Sequence, residues 1–201
     1  FSYGDVLGAG EGWATSILYH ETLRKEFKEF FSREDVFSLG VCNGCQMLAL
    51  LSDLIPESSL WPRFTRNKSE KFEARFSQLL VGSSPSIFFK DMNESVLPIA
   101  IAHGEGRINI SRVQADKLIK EGLVPITYAD GEGITTERYP QNPNGSIFGL
   151  AGVTNLSGTI TLMMPHPERS FLSTQNSWKP NDWGPYSPWI KFFLNAREFI
   201  S

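Results

Sequence analysis

With 201 residues, 41% of them hydrophobic and 20% charged, the chain has an ordinary globular balance and room for one substantial domain rather than two. A net charge of −3 gives no electrostatic reason to expect nucleic acid, and no apolar run approaches the roughly 18 residues that a membrane-spanning helix needs. Two cysteines, Cys42 and Cys45, are too few for a disulfide scaffold and make a reducing, cytoplasmic setting the default.

Four glycines fall in residues 1–12, which read as a loop whose backbone can approach another group closely. From Trp13 to about Phe31 the apolar positions Ile17, Leu18, Leu23, Phe27, Phe30 and Phe31 recur near helical spacing, predicting one amphipathic helix. Residues 36–41 read as a buried strand, and Met47–Leu51 as a buried helix ending before Pro56. Strand, sharp turn and helix together form the unit of an α/β fold. Residues 57–78 are polar and irregular. Strands are then expected at 76–81, 87–89, 97–102, 124–128, 145–154 and 159–164, with a short helix at 115–121. The Trp-, Pro- and Asn-rich stretch 173–188 reads as loop, and 189–200 as a closing helix. The chain begins Phe1-Ser2-Tyr3, without an initiator Met or signal peptide, so a piece of a longer chain is expected.

Gly40-Val41-Cys42-Asn43-Gly44 has the form of a nucleophile elbow with Cys at its centre, small residues two before and two after relieving a tight turn. Such a turn lifts the side chain out of the sheet and places the sulfur at a helix N-terminus, where the dipole favours thiolate. It also aims the Asn43 amide at an oxyanion formed on attack. A thiolate nucleophile needs a base, and the base a group that orients it. Pro165-His166-Pro167-Glu168 follows a predicted strand. In extended chain residues two apart point the same way, so Glu168 can hold the His166 ring. Cys45 lies one turn into the helix and reads as a small buried residue.

His20, among polar neighbours, reads as part of a solvated helix face. His103 ends a predicted strand, where ligand sites gather, and is a candidate binding residue. The mixed-sign run Arg66 to Lys71 reads as a solvated face, with a partner domain as the alternative. Cys42 and Cys45 also fit a redox or zinc pair, but structural zinc wants a second such pair, which is lacking in the sequence. Other readings are a different enzyme built on the same elbow and a catalytically dead interaction domain; all three triad positions being filled argues against the latter.

The words GVCNGCQ at 40–46 and MPHPER at 164–169 resemble the class I, or triad, glutamine amidotransferases. FSYGDVLGAG at 1–10, RNKSEKFEARF at 66–76, AHGEGR at 102–107 and QNPNGS at 141–146 resemble, more closely, the glutaminase domains of the phosphoribosylformylglycinamidine synthases. The tail, with NSW at 176–178 and SPW at 187–189, is similar to the long single-chain type, in which the glutaminase is the C-terminal domain. The resemblance implies an α/β, flavodoxin-like fold with a mostly parallel central sheet flanked by helices, here lacking its first strand, over one domain at 1–201. It implies Cys42, His166 and Glu168 as the catalytic triad. Gln46 would lie near the amino-acid end of the substrate L-glutamine, the Asn43 amide would form half of the oxyanion hole, and the loop at or before Phe1 the other half. It further implies no cofactor in this domain, with ATP and Mg²⁺ in a synthase domain of the same longer chain that takes up the ammonia.

Overall fold

The computed structural model describes residues 8–201. The elements in chain order are α1 (Ala9–Tyr19), α2 (Glu21–Phe31), β1 (Ser38–Val41), α3 (Asn43–Leu50), β2 (Phe64–Thr65), β3 (Glu73–Val81), β4 (Val96–His103), β5 (Arg107–Ile108), α4 (Arg112–Lys120), β6 (Ile126–Ala129), β7 (Gly152–Thr154), β8 (Ile160–Met163) and α5 (Ile190–Phe199). The strand β8 is buried at every position, because both its faces are covered. Ile160 and Leu162 pack into a cluster with α1, α3 and α4, whereas Met163 packs into a second cluster with β3, β4 and α5. A strand buried on both faces is a continuous apolar run rather than an alternating one.

Among the described residues the strands form three sheets, β1-β8-β7, β2-β5 and β4-β3-β6. Single bridges tie the first to the third, Ala100 to His166 and Thr127 to Leu150. The expected mostly parallel sheet is corrected here. Among the described residues β1 and β8 form a parallel ladder, and the other four ladders are antiparallel. The short returns at 82–95 and 155–159 double the chain back on itself, whereas parallel pairing needs a long crossover. Such a crossover joins β1 to β8 and begins with α3. The strand expected ahead of the chain and residues 1–7 of the loop expected over 1–12 lie outside the described residues; from Ala9 onward that stretch is helix α1 rather than loop.

The single helix expected over 13–31 is two. His20 adopts extended backbone (φ −104, ψ 108) and its Nδ1 accepts from the Leu23 amide at 3.4 Å. It is exposed, as expected, but serves as the N-cap of α2. The expected strand at 87–89 is a 3-10 turn. Phe88 and Phe89 are both buried, which an exposed-edge strand would not allow, and each packs on Phe192 of α5, at centroid distances of 4.9 and 5.1 Å. Of the strand expected at 145–154, only β7 forms; a turn at Ile147–Gly149, with Phe148 at φ 48, precedes it.

Candidate active site

Cys42 sits between β1 and α3. Its amide donates to the Met163 carbonyl at 3.0 Å, continuing the β1–β8 pairing, and its carbonyl accepts the first helical bond from Gln46 at 3.1 Å. Holding both roles forces φ 53, ψ −109, a conformation that costs a non-glycine residue on the order of 1–3 kcal/mol. Gly40 makes the turn possible. A Cβ there would lie 2.8 Å from the Gly44 carbonyl, 2.9 Å from Leu48 Cδ1 and 3.0 Å from Cys45 Cα, so α3 could not pack where it does. At Gly44 a Cβ would meet nothing within 4 Å. Of the two small residues expected to relieve the turn, packing requires only the first. Cys45 is wholly buried, and burial raises its thiol pKa, with the Cys42 charge adding to it.

His166 arrives from β8 through a short link. Its amide donates to the Ala100 carbonyl of β4 at 2.9 Å, and its Nδ1 lies 2.6 Å from Glu168 Oε1. The pair is not formed along a strand as expected. His166 (φ −107, ψ 89) caps a 3-10 turn that starts at Pro167, and the turn brings the carboxylate back under the ring. Pro at the first position suits such a turn, since its missing N–H is one the turn would leave unpaired. Glu168 is half-exposed and also meets Arg169 Nε at 3.4 Å. Burial opposes its charge, but the His166 hydrogen bond and charge hold its pKa below the usual value.

With Nδ1 occupied by Glu168, His166 Nε2 is the nitrogen left for Cys42; it is buried and makes no hydrogen bond of ordinary geometry. Burial of the ring disfavours its charge, yet interaction with Cys42 and Glu168 outweighs that and raises its pKa to about 9. The Cys42 Sγ lies 3.8 Å from the Ala102 carbonyl at the end of β4. The elbow, the His–Glu turn and the end of β4 thus converge at one place.

Gln46 lies one turn along α3 and donates through Nε2 to the Glu105 carbonyl at 2.9 Å. Asn43 opens α3, and its side-chain Oδ1 is buried without a partner. His103, the last residue of β4, is 2% exposed, with neither ring nitrogen hydrogen-bonded. Desolvation, then the nearby His166, lower its pKa to about 3. It is a neutral buried ring behind the site rather than a side chain open to solvent.

The loop 103–107 is held by residues that the sequence reading did not single out. Asn67, expected on a solvated face, is 2% exposed. Its Nδ2 donates to the His103 carbonyl at 2.8 Å and its Oδ1 accepts from the Gly106 amide at 2.9 Å. Its own amide reaches the Gly104 carbonyl at 2.9 Å. Asn144 Nδ2 donates to the Gly106 carbonyl at 2.7 Å, and Ser146 Oγ accepts from the Ile108 amide at 2.9 Å. Asn67, Asn144 and Ser146, drawn from the words at 66–76 and 141–146, therefore form one buried cradle for the loop in 102–107, while the flanking Arg66 and Lys68 are exposed. The single uncharged Asn67 between Arg66 and Lys68 was the available sign that part of this run faces inward.

Among the described residues no group of three or more His, Cys, Asp or Glu side chains could hold a metal ion. No helix among them is long and apolar enough to cross a membrane.

Residues 1–200 match the family model described as the CobB/CobQ-like glutamine amidotransferase domain. Among solved structures, the chain is similar over its whole length to PurLQS from Thermotoga maritima, with a TM-score of 0.64 and 24% identity over 76% of that chain. This likeness bears on the fold alone. A glutamine amidotransferase from Thermotoga maritima shares 19% identity at a TM-score of 0.42, with 77% of this chain and 51% of that one covered; so loose a superposition carries no weight here.

Proposed function

Because this chain belongs to the CobB/CobQ-like glutamine amidotransferase domain family, we propose that it hydrolyses L-glutamine through a thioester on Cys42. The observation that carries the reading is a strained Cys at a strand-to-helix elbow facing a His whose far nitrogen is held by a carboxylate at 2.6 Å. In this scheme the Cys42 thiolate attacks the side-chain amide carbon, and a C–S bond forms. The Asn43 amide, first in α3, donates to the oxyanion, and the glycine-rich loop at or before Phe1 supplies the second donor. His166 Nε2 gives its proton to the departing nitrogen, the C–N bond breaks, and ammonia leaves. His166 then takes a proton from water, which attacks the thioester, and glutamate is released as the C–S bond breaks. Glu168 orients the ring and stabilises its charged form. Gln46 lies near the amino-acid end of the substrate, and His103 contributes from behind the site.

The motif words quoted above support a finer reading. The ammonia passes to a synthase domain of the same longer chain, which converts formylglycinamide ribonucleotide to formylglycinamidine ribonucleotide. ATP and Mg²⁺ serve that synthase domain, and no step proposed for this domain runs through them.

The test is mass spectrometry after exposure of the intact natural protein, loaded with its other substrates, to a diazo-ketone glutamine analogue. A single adduct on Cys42, absent in Cys42→Ala, is expected. An adduct on Cys45 would place the elbow one helical turn too early. A folded protein with no adduct at either cysteine would overturn the enzymatic reading.

A further inference from the structure

Three chain segments meet at Glu105. Its carboxylate Oε2 accepts from the Gly8 amide at 2.7 Å. Gly8 is the N-cap of α1, in left-handed backbone (φ 80, ψ 13), and no side chain of its own helix caps it. The carboxylate therefore supplies from outside the acceptor and negative charge that a helix N-terminus favours. The Glu105 carbonyl accepts from Gln46 Nε2 at 2.9 Å, which fixes where the Gln46 amide points. Directly beside this, α1 lies so close to α3 that a Cβ on Gly10 would fall 2.7 Å from Gln46 Cβ. Gly8, Glu11, Gln46, Arg63, Phe64 and Glu105 line a cleft of about 310 Å³. Behind Glu105, the Asn67 and Asn144 cradle pins the neighbouring Gly104 and Gly106. Glu105 reaches forward from the loop, by side chain to α1 and by main chain to α3.

We infer that Glu105 is a positioning residue, acting through Gln46 on the binding of glutamine. This rests on the amidotransferase reading above. When the carboxylate holds Gly8, the Glu105 carbonyl is presented to Gln46. When it lets go, the loop keeps its rear anchors but Gln46 loses its fixed partner. The His166–Glu168 pair stands on the 3-10 turn after β8, apart from this linkage, and the Cys42 backbone is also held by its own bond to Met163 of β8. Loss of Glu105 therefore weakens substrate binding more than it slows the chemistry.

The test is glutamine hydrolysis by the intact natural protein and its variants. Glu105→Ala should raise KM for glutamine on the order of tenfold, the worth of one hydrogen bond to a charged group, with kcat within about twofold. Glu105→Asp, too short to reach Gly8, should behave like Glu105→Ala, and Glu105→Gln, which keeps an acceptor at full reach, should restore a low KM. Gln46→Ala should raise KM as well, and adding Glu105→Ala to it should raise KM no further, since both act on one interaction. Additive effects, an unchanged KM, or equal losses in kcat and KM across the Glu105 variants would overturn the inference. A wild-type protein that does not hydrolyse glutamine would instead overturn the reading on which it rests, and the inference with it.

Discussion

Lowering the pH should destabilise this chain through His103 before most carboxylates begin to titrate. The ring is 2% exposed and neither nitrogen is hydrogen-bonded. Desolvation and the neighbouring His166 lower its pKa from 6.5 to about 3. The unfolded chain therefore takes up a proton below pH 6.5 that the folded chain refuses until about pH 3. Stability is full above 6.5 and falls with decreasing pH across that window, by about 1.4 kcal/mol per unit. At pH 5 the loss is about 2 kcal/mol, and over the whole window at most about 5 kcal/mol. His103→Leu removes the titration while keeping a side chain of similar volume, so its stability should be much flatter between pH 7 and 5. Urea unfolding at pH 7, 6 and 5, followed by tryptophan fluorescence, measures the difference, since Trp61 and Trp189 are buried. Wild type should lose about 2 kcal/mol more than the variant between pH 7 and 5. Parallel slopes would refute the reasoning, because they would mean that the folded chain accepts a proton at position 103 as readily as the unfolded one.

Three further outcomes are expected. The interactions with Cys42 and Glu168 raise the His166 pKa to about 9, so stability from that proton is full below pH 6.5 and lost as pH rises through about 9. Glu168→Gln removes the holding charge and should lower kcat for glutamine hydrolysis by about 10²–10⁴, with the alkaline limb of the pH–rate profile moved to lower pH. Gly40→Ala forces a Cβ to within 2.8 Å of the Gly44 carbonyl; overpacking of this kind costs about 1–3 kcal/mol. The thermal midpoint should fall, and the rate of Cys42 labelling with it. An unchanged midpoint would mean that α3 can shift without loss.

The residues that meet at the site could be nominated from the sequence because their signals are local. A Cys between glycines after an apolar run, and a His two residues from a Glu between prolines, announce themselves within a few positions. The strand-to-helix unit around Cys42 was legible for the same reason, since Leu39, Val41, Leu48 and Ala49 keep the periods of a strand and a helix. The turn chemistry was harder. His20 breaks one helical pattern into two through a single side-chain cap, and Phe88 and Phe89 form a turn because α5, a hundred residues later, supplies the rings they pack on.

What only the tertiary structure decided is which polar residues turn inward. Asn67, Asn144 and Ser146 look like surface residues in a polar run, and their burial follows from hydrogen bonds to a loop far away in sequence. Backbone amides and carbonyls in a buried loop need partners, and nothing local says which side chain will provide them. The same holds for strand direction. Alternation shows that a strand exists and which face it buries, but its neighbour is chosen by the length and course of the connections. Among the described residues short returns make the β3–β4 and β7–β8 ladders antiparallel, and one long crossover makes β1 and β8 parallel. By itself the sequence nominated Cys42, His166 and Glu168; their convergence, and the cradle behind them, depend on contacts between residues far apart in the chain.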